Sequence, residues 1–139
     1  MVAYLLDTNV ISELRKATPH RRVVTWLRRL EAARAEVYLS VLSVGEIRKG
    51  IEMLRPRDPR RAVALEAWLG ELVEAYGGRI LPVTVAVAEE WGRMAAAAQP
   101  PVIDGLMAAT ARAHRLTLAT RNVADVARTG VPVVNPFEG

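Results

Sequence analysis

The sequence predicts an α/β fold: a three-layer α/β/α sandwich around a central, mainly parallel sheet of four to five strands. Short β-prone apolar runs recur along the chain, and longer segments with apolar residues at helical spacing follow them. Helix-capping residues stand at several of the junctions. Strands that alternate with helices are joined by crossovers, which makes the sheet parallel and covers it on both faces.

The first run, Val2 to Leu6, is too short for a helix and ends at Asp7-Thr8-Asn9, a capping cluster, so it reads as a strand leading into a helix. After Pro19 and His20, residues Arg21 to Arg34 place Val23, Val24, Trp26, Leu27 and Leu30 at helical spacing among five arginines, an amphipathic helix. Val37 to Leu39 is a second strand. From Ser40 the pattern turns helical through Val44, Ile47, Ile51 and Leu54. A Pro- and Arg-rich break, Arg55 to Arg61, joins it to a helix over Ala62 to Tyr76, which Gly77-Gly78 stops; the two form a hairpin. Ile80 to Val83 is a third strand, with Pro82 placing it at an edge or at its own end. Helices over Thr84 to Ala98 and Val102 to His114 flank Pro100-Pro101, and the alanine-rich second one is expected to be central. Leu116 to Ala119 reads as a strand, Asn122 to Arg128 as a short helix ended by Gly130, and Val131 to Val134 as a last strand.

At 139 residues the chain suits one domain over its whole length, since chains of about 150 residues bury roughly 68 to 70% of their unfolded surface. The absence of cysteine excludes disulfides and thiolate metal sites and fits a reducing compartment, the cytoplasm. The N-terminal apolar run lacks a preceding basic region and is too short for a signal peptide or membrane span, so no membrane association is expected. A net charge of +4, with 17 of 19 basic residues being Arg, favours a polyanionic partner. Arg-biased coding accounts for the same count, so basicity alone does not identify the partner.

Asp occurs only at positions 7, 58, 104 and 125. Asp7 follows the first strand, Glu46 lies in the first turns of the helix after the second, and Asp125 lies in the short helix after Leu116 to Ala119. Those three face the carboxyl ends of the strands, where open α/β sheets bind ligands. Asp104 opens the alanine-rich helix, where the helix dipole favours an acid. Four converging carboxylates repel one another unless a cation neutralises them, and Mg²⁺ or Mn²⁺ suits carboxylate oxygen and water. Such an ion activates water for attack on a phosphodiester. Taken singly, Asp7 equally fits an N-cap, Glu46 a solvated helix face and Asp125 a surface charge, so their weight lies in agreement. Asp58, among prolines and arginines, reads as a turn residue.

Four segments then carry a resemblance: Leu5 to Glu13 (LLDTNVISE), Ser40 to Ile47 (SVLSVGEI), Ile103 to Ala111 (IDGLMAATA) and Ala119 to Asp125 (ATRNVAD). In this order they resemble the PIN-domain ribonucleases, particularly the VapC-type and FitB-like toxins of toxin-antitoxin pairs. The resemblance implies a Mg²⁺- or Mn²⁺-dependent ribonuclease with Asp7, Glu46, Asp104 and Asp125 as the acidic cluster, Asp7 and Asp104 being direct ligands. Thr8, Asn9, Ser43, Thr120 and Asn122 lie in the same segments and are suited to orient carboxylates or water, although Thr8, Asn9 and Asn122 equally suit caps. Val126 stands where the family often has an aromatic residue after the fourth acid. The resemblance further implies an antitoxin partner and a homodimer.

Arg112, Arg115 and Arg121, together with Arg21, Arg22, Arg28, Arg29 and the 55 to 61 turn, are the candidates for an RNA path. Trp26, Trp68 and Trp91 lie on helices, either in the core or as apolar surface. His20 and His114 suit helix ends, not a catalytic triad. Two other readings remain open. One is a receiver-like phosphoacceptor, although Lys16 and Lys49 both lie early; the other is a PIN-fold binding module without chemistry.

Overall fold

The computed structural model describes residues 2–138. Strands β1 (Ala3–Leu6), β2 (Glu36–Ser40), β3 (Ile80–Leu81), β4 (Thr117–Ala119) and β5 (Val133–Val134) form one all-parallel sheet in the order β3-β2-β1-β4-β5. The helices are α1 (Thr8–Ile11), α2 (Arg21–Ala32), α3 (Val41–Leu54), α4 (Pro59–Tyr76), α5 (Val85–Ala98), α6 (Val102–Ala113) and α7 (Val123–Val126).

The period of two along each strand builds the layers. Leu6, Leu39 and Ala119 pack with Val10, Val23, Ile51 and Leu69 from α1 to α4. Their neighbours Leu5 and Leu118 pack with Val87, Met94, Met107 and Val126 from α5, α6 and α7. Both faces of the sheet are therefore covered, and this explains why β1 reads as a continuous apolar run. The three tryptophans are half-buried against these cores, and Trp26 meets the Tyr4 ring edge-on at 5.2 Å.

The structure moves several expected boundaries. Helix α4 begins at Pro59, because proline suits the first helical position and Asp58 Oδ1 accepts from Arg61 N at 3.1 Å. Asp58 is thus an N-cap, and the break in the α3–α4 hairpin shortens. Helix α2 stops at Ala32, two residues before the chain turns left-handed at Arg34. Strand β3 is an edge strand closed by Pro82, and β5 loses Val131 and Pro132. Pro132 has no N–H for the ladder, but its carbonyl accepts from Leu118 N at 2.9 Å. Gly130 adopts φ 77° before β5, and Gly77 adopts φ 47° at the end of α4, both conformations that favour glycine. Among the described residues no helix is long and apolar enough to cross a membrane.

Helix α6 packs along α5 and ends against β4. The approach is closest at Gly105, where a Cβ would meet Pro100 Cγ at 2.8 Å and Trp91 Nε1 at 3.1 Å. Overpacking costs about 1–3 kcal/mol and the helix propensity of alanine returns up to about 1 kcal/mol. Gly105→Ala is accordingly expected to lower stability by about 1–2 kcal/mol, read from the urea midpoint; an unchanged midpoint would show that the α5–α6 contact yields.

Chain order places the site. From β1 the chain steps outward through β2 to β3, then returns to the other side of β1 for β4 and β5. The direction reverses between β1 and β4, and a crevice opens there at the carboxyl ends of the strands.

Candidate active site

Asp7 leaves β1 in an extended conformation (φ −73°, ψ 159°), and its N–H continues the β1–β4 ladder by donating to Ala119 O at 2.9 Å. Its side chain is 6% exposed. Oδ1 accepts from Thr8 N at 2.7 Å; Oδ2 accepts from the Thr120 hydroxyl at 2.7 Å and from Asn9 Nδ2 at 3.3 Å. Asn9 Oδ1 in turn accepts from Arg121 N at 3.1 Å, and Thr120 Oγ1 from Asn122 N at 3.0 Å. The ends of β1 and β4 are thus laced together around one buried carboxylate.

Glu46 enters from the second turn of α3, which Ser40 caps by accepting from Leu42 N at 3.0 Å. The Thr8 hydroxyl donates to Glu46 Oε1 at 2.6 Å. With that single proton spent, the buried Ser43 hydroxyl 2.9 Å away donates to Thr8. Asp104 lies half-buried in the first turn of α6, and Asp125 is exposed on α7.

Charge ties the four together. Burial pushes the Asp104 carboxyl up to about 6, and the negative charges of Asp7, Asp125 and Glu46 add to the rise. Burial also raises Asp7, against the lowering effect of its Thr120, Thr8 and Asn9 hydrogen bonds, while the Glu46 charge adds a further upward push. The charges of Asp7, Asp125 and Glu46 are thus felt at Asp104, but among the described residues no three of these acids converge as a ready ligand set. Like charges resist closer approach until a cation neutralises them.

Among the described residues the four site acids are not ion-paired, a state they share with Glu31, Glu36, Asp58, Glu71, Glu74 and Glu138. Glu13, Glu52, Glu66, Glu89 and Glu90 all hold Lys or Arg partners. A buried Asp7 and a half-buried Asp104 left without cationic side chains, with the exposed Glu46 and Asp125 as further acids, suit a hard divalent cation by donor chemistry and by charge.

Several residues singled out from sequence fall elsewhere. Arg112 and Arg115 lie at the opposite end of α6 from Asp104, because a helix preceding a parallel strand runs back along it. Arg112 is tied to Glu90 and to Thr129 O, and neighbouring His114 sits beside Ala3 and Glu36, where β1 and β2 begin. Neither arginine borders the acids. Arg121 does follow β4, with its guanidinium 4.1 Å above the Phe137 ring. Asn122 uses its backbone N–H at the site, but its side chain makes no capping bond. His20 is the N-cap of α2. Glu13, named only as part of a motif, is buried and joins Lys16 to His20 N (2.8 Å), fixing the turn into α2; its i, i+3 spacing to Lys16 was the available signal.

Comparisons with known proteins bear on the family and the fold. The family described as PIN domain matches residues 4–130. VapC ribonuclease Y4jK from Sinorhizobium fredii is 38% identical over 140 residues, covering 96% of this chain and 97% of its own. Toxin FitB from Neisseria gonorrhoeae is 37% identical over 138 residues, with the same coverage. The crystal structure of FitAcB from Neisseria gonorrhoeae superposes with a TM-score of 0.87 at 36% identity, covering 98% of this chain and 99% of that one. The chain therefore belongs to the PIN domain family.

Proposed function

We propose that this chain is a Mg²⁺- or Mn²⁺-dependent endoribonuclease, the toxin of a type II toxin-antitoxin pair acting in the cytoplasm, with a cognate antitoxin and a homodimeric state as its protein interactions. The supporting observation is the crevice at the carboxyl ends of β1 and β4, where Asp7 is buried and held by three donors, and Asp104, half-buried, feels the charges of Asp7, Asp125 and Glu46, with no Arg or Lys partner for any of the four among the described residues. The family relatives named a ribonuclease and a toxin point the same way.

Asp7 and Asp104 would hold the ion, with Glu46 and Asp125 completing the negative ring. When bound, a divalent ion supplies charge neutralisation and a water acidic enough to attack a phosphodiester. The residues of the chain do the positioning. Three donors fix Asp7 so that its carboxylate cannot rotate away. Thr8 pins Glu46 Oε1 and leaves Oε2 without a protein donor among the described residues, so that Oε2 orients the attacking water and takes its proton. Ser43 and Thr120 keep these two carboxylates in place from below.

The receiver-like reading loses its footing in the topology, since such domains use the order 2-1-3-4-5 and this sheet runs 3-2-1-4-5. Lys16 is engaged with Glu13 and not with the acids.

The test is cleavage of total RNA by the purified protein in EDTA, Mg²⁺ and Mn²⁺. Cleavage is expected only with metal; equal cleavage in EDTA, or none with either ion, would overturn the reading, and failure to bind either ion by calorimetry would favour the binding module. Thr8→Val should lower kcat about 10- to 100-fold while leaving the thermal midpoint near that of the wild type, because losing a carboxylate's supporting hydrogen bond costs on that order. Full kcat in Thr8→Val would remove Thr8 from the scheme.

A further inference from the structure

Beside the acid crevice, α3 and the start of α4 enclose a cavity of about 330 Å³. Thr8 and Glu46 line it from the crevice side, and Arg15, Arg57 and Arg61 line it as well, over a floor that includes Leu54 and Leu65. Two other arginines of the same hairpin are already engaged by carboxylates. Arg48 and Arg55 are engaged with Glu52 and Glu66, whereas Arg15, Arg57 and Arg61 have no carboxylate partner among the described residues. Glu46 shares the cavity with them without forming an ion pair.

Three unpaired guanidiniums call for an anion, and the guanidinium fork matches phosphate in a bidentate way. An aliphatic floor calls for an apolar face. A nucleotide offers both, since its phosphate meets the arginines and its base lies on aliphatic side chains or on a guanidinium plane. The volume is at the lower end of the roughly 300–1,000 Å³ range of small-ligand sites, which suits one splayed-out nucleotide and not a duplex.

We propose that this cavity is the subsite for the nucleotide flanking the scissile phosphate, with Arg57 and Arg61 holding its backbone phosphate and Arg15 closing the pocket. The inference rests on the RNA-cleaving reading above. It gives the enzyme a preference for single-stranded substrate, because a paired base cannot enter.

The test is an Arg57→Ala/Arg61→Ala double variant assayed on a single-stranded oligoribonucleotide that the wild type cleaves, with binding followed by fluorescence anisotropy across a NaCl series in EDTA. Both residues are exposed, Arg57 in the turn between α3 and α4 and Arg61 in the first turn of α4, so the fold should survive their loss. KM is expected to rise about 10- to 100-fold with kcat within about twofold. The slope of log K against log salt should fall by about 1.4, at roughly 0.7 per lost contact on a single strand. The double lysine variant should recover the salt slope but only part of the KM, since lysine lacks the fork. Arg60→Ala, which removes a charge from the same helix outside the cavity, should change neither.

Wild-type KM and salt slope in the double variant would overturn the subsite. So would unchanged RNA constants accompanied by weaker binding of a peptide from the antitoxin's C-terminus, which would assign the cavity to protein. A wild type that cleaves no RNA with either metal would instead remove the underlying activity, and the subsite with it.

Discussion

Asp7→Asn and Asp104→Asn should each lower RNA cleavage by about 10²- to 10³-fold or more while the protein stays folded. The activity loss follows from charge: a metal-centred site supplies several kcal/mol of transition-state stabilisation, and each 1.36 kcal/mol is tenfold in rate. Neither change should unfold the chain. Asp104 makes no side-chain hydrogen bond or ion pair among the described residues, so asparagine removes only a repelled charge. At position 7 the amide oxygen can still accept from Thr8 N, and the new amide group faces the Thr120 hydroxyl, which can turn to accept; only the longer 3.3 Å bond from Asn9 Nδ2 is lost. The loss of a buried charge offsets the weaker hydrogen bond. Wild-type circular dichroism and a urea midpoint no lower than the wild-type value, together with cleavage lost in both variants, is the expected result. Full activity in both variants would refute the four-carboxylate site.

Much of this architecture is legible locally. A strand buried on both faces shows as an uninterrupted apolar run, as in β1, and a capping residue after it marks where the chain turns, as at Asp7 and Ser40. Strand order is not written in any segment, because it depends on which strands pair at long range; β1 lies between β2 and β4 only in the folded chain. The same holds for direction. Arg112 and Arg115 follow Asp104 closely in sequence, yet a 12-residue helix is about 18 Å long and carries them to the other end of the sheet. Asn122 has a capping residue's identity, but the Thr120 hydroxyl already takes its N–H and its side chain is left out. The division of labour between Thr8 and Ser43 was likewise invisible, since a hydroxyl reveals its acceptor only when Glu46 stands 2.6 Å away.

The second large effect lies in stability. A carboxyl raised from 3.8 to about 6 on folding binds its proton more tightly in the native state, so the metal-free protein takes up protons as it folds between those values. The contribution of Asp104 is therefore fully present below about pH 4 and is lost as pH rises through 6. Taken whole, a shift of about two units is worth nearly 3 kcal/mol, but solvent reaches this carboxyl and about 1 kcal/mol is the discounted figure. Asp104→Asn should then raise the melting temperature of the metal-free protein at pH 7 by about 4 °C and flatten its dependence on pH between 4 and 6. Mg²⁺ at 100 times its dissociation constant adds about 2.7 kcal/mol to the wild type, a rise of about 10 °C, and less than half of that to the variant. Below pH 5 protons compete for the same oxygens, and the Mg²⁺ increment should shrink. Equal melting temperatures for wild type and variant at pH 5 and pH 7, with and without Mg²⁺, would mean that Asp104 neither feels its three acidic neighbours nor holds an ion.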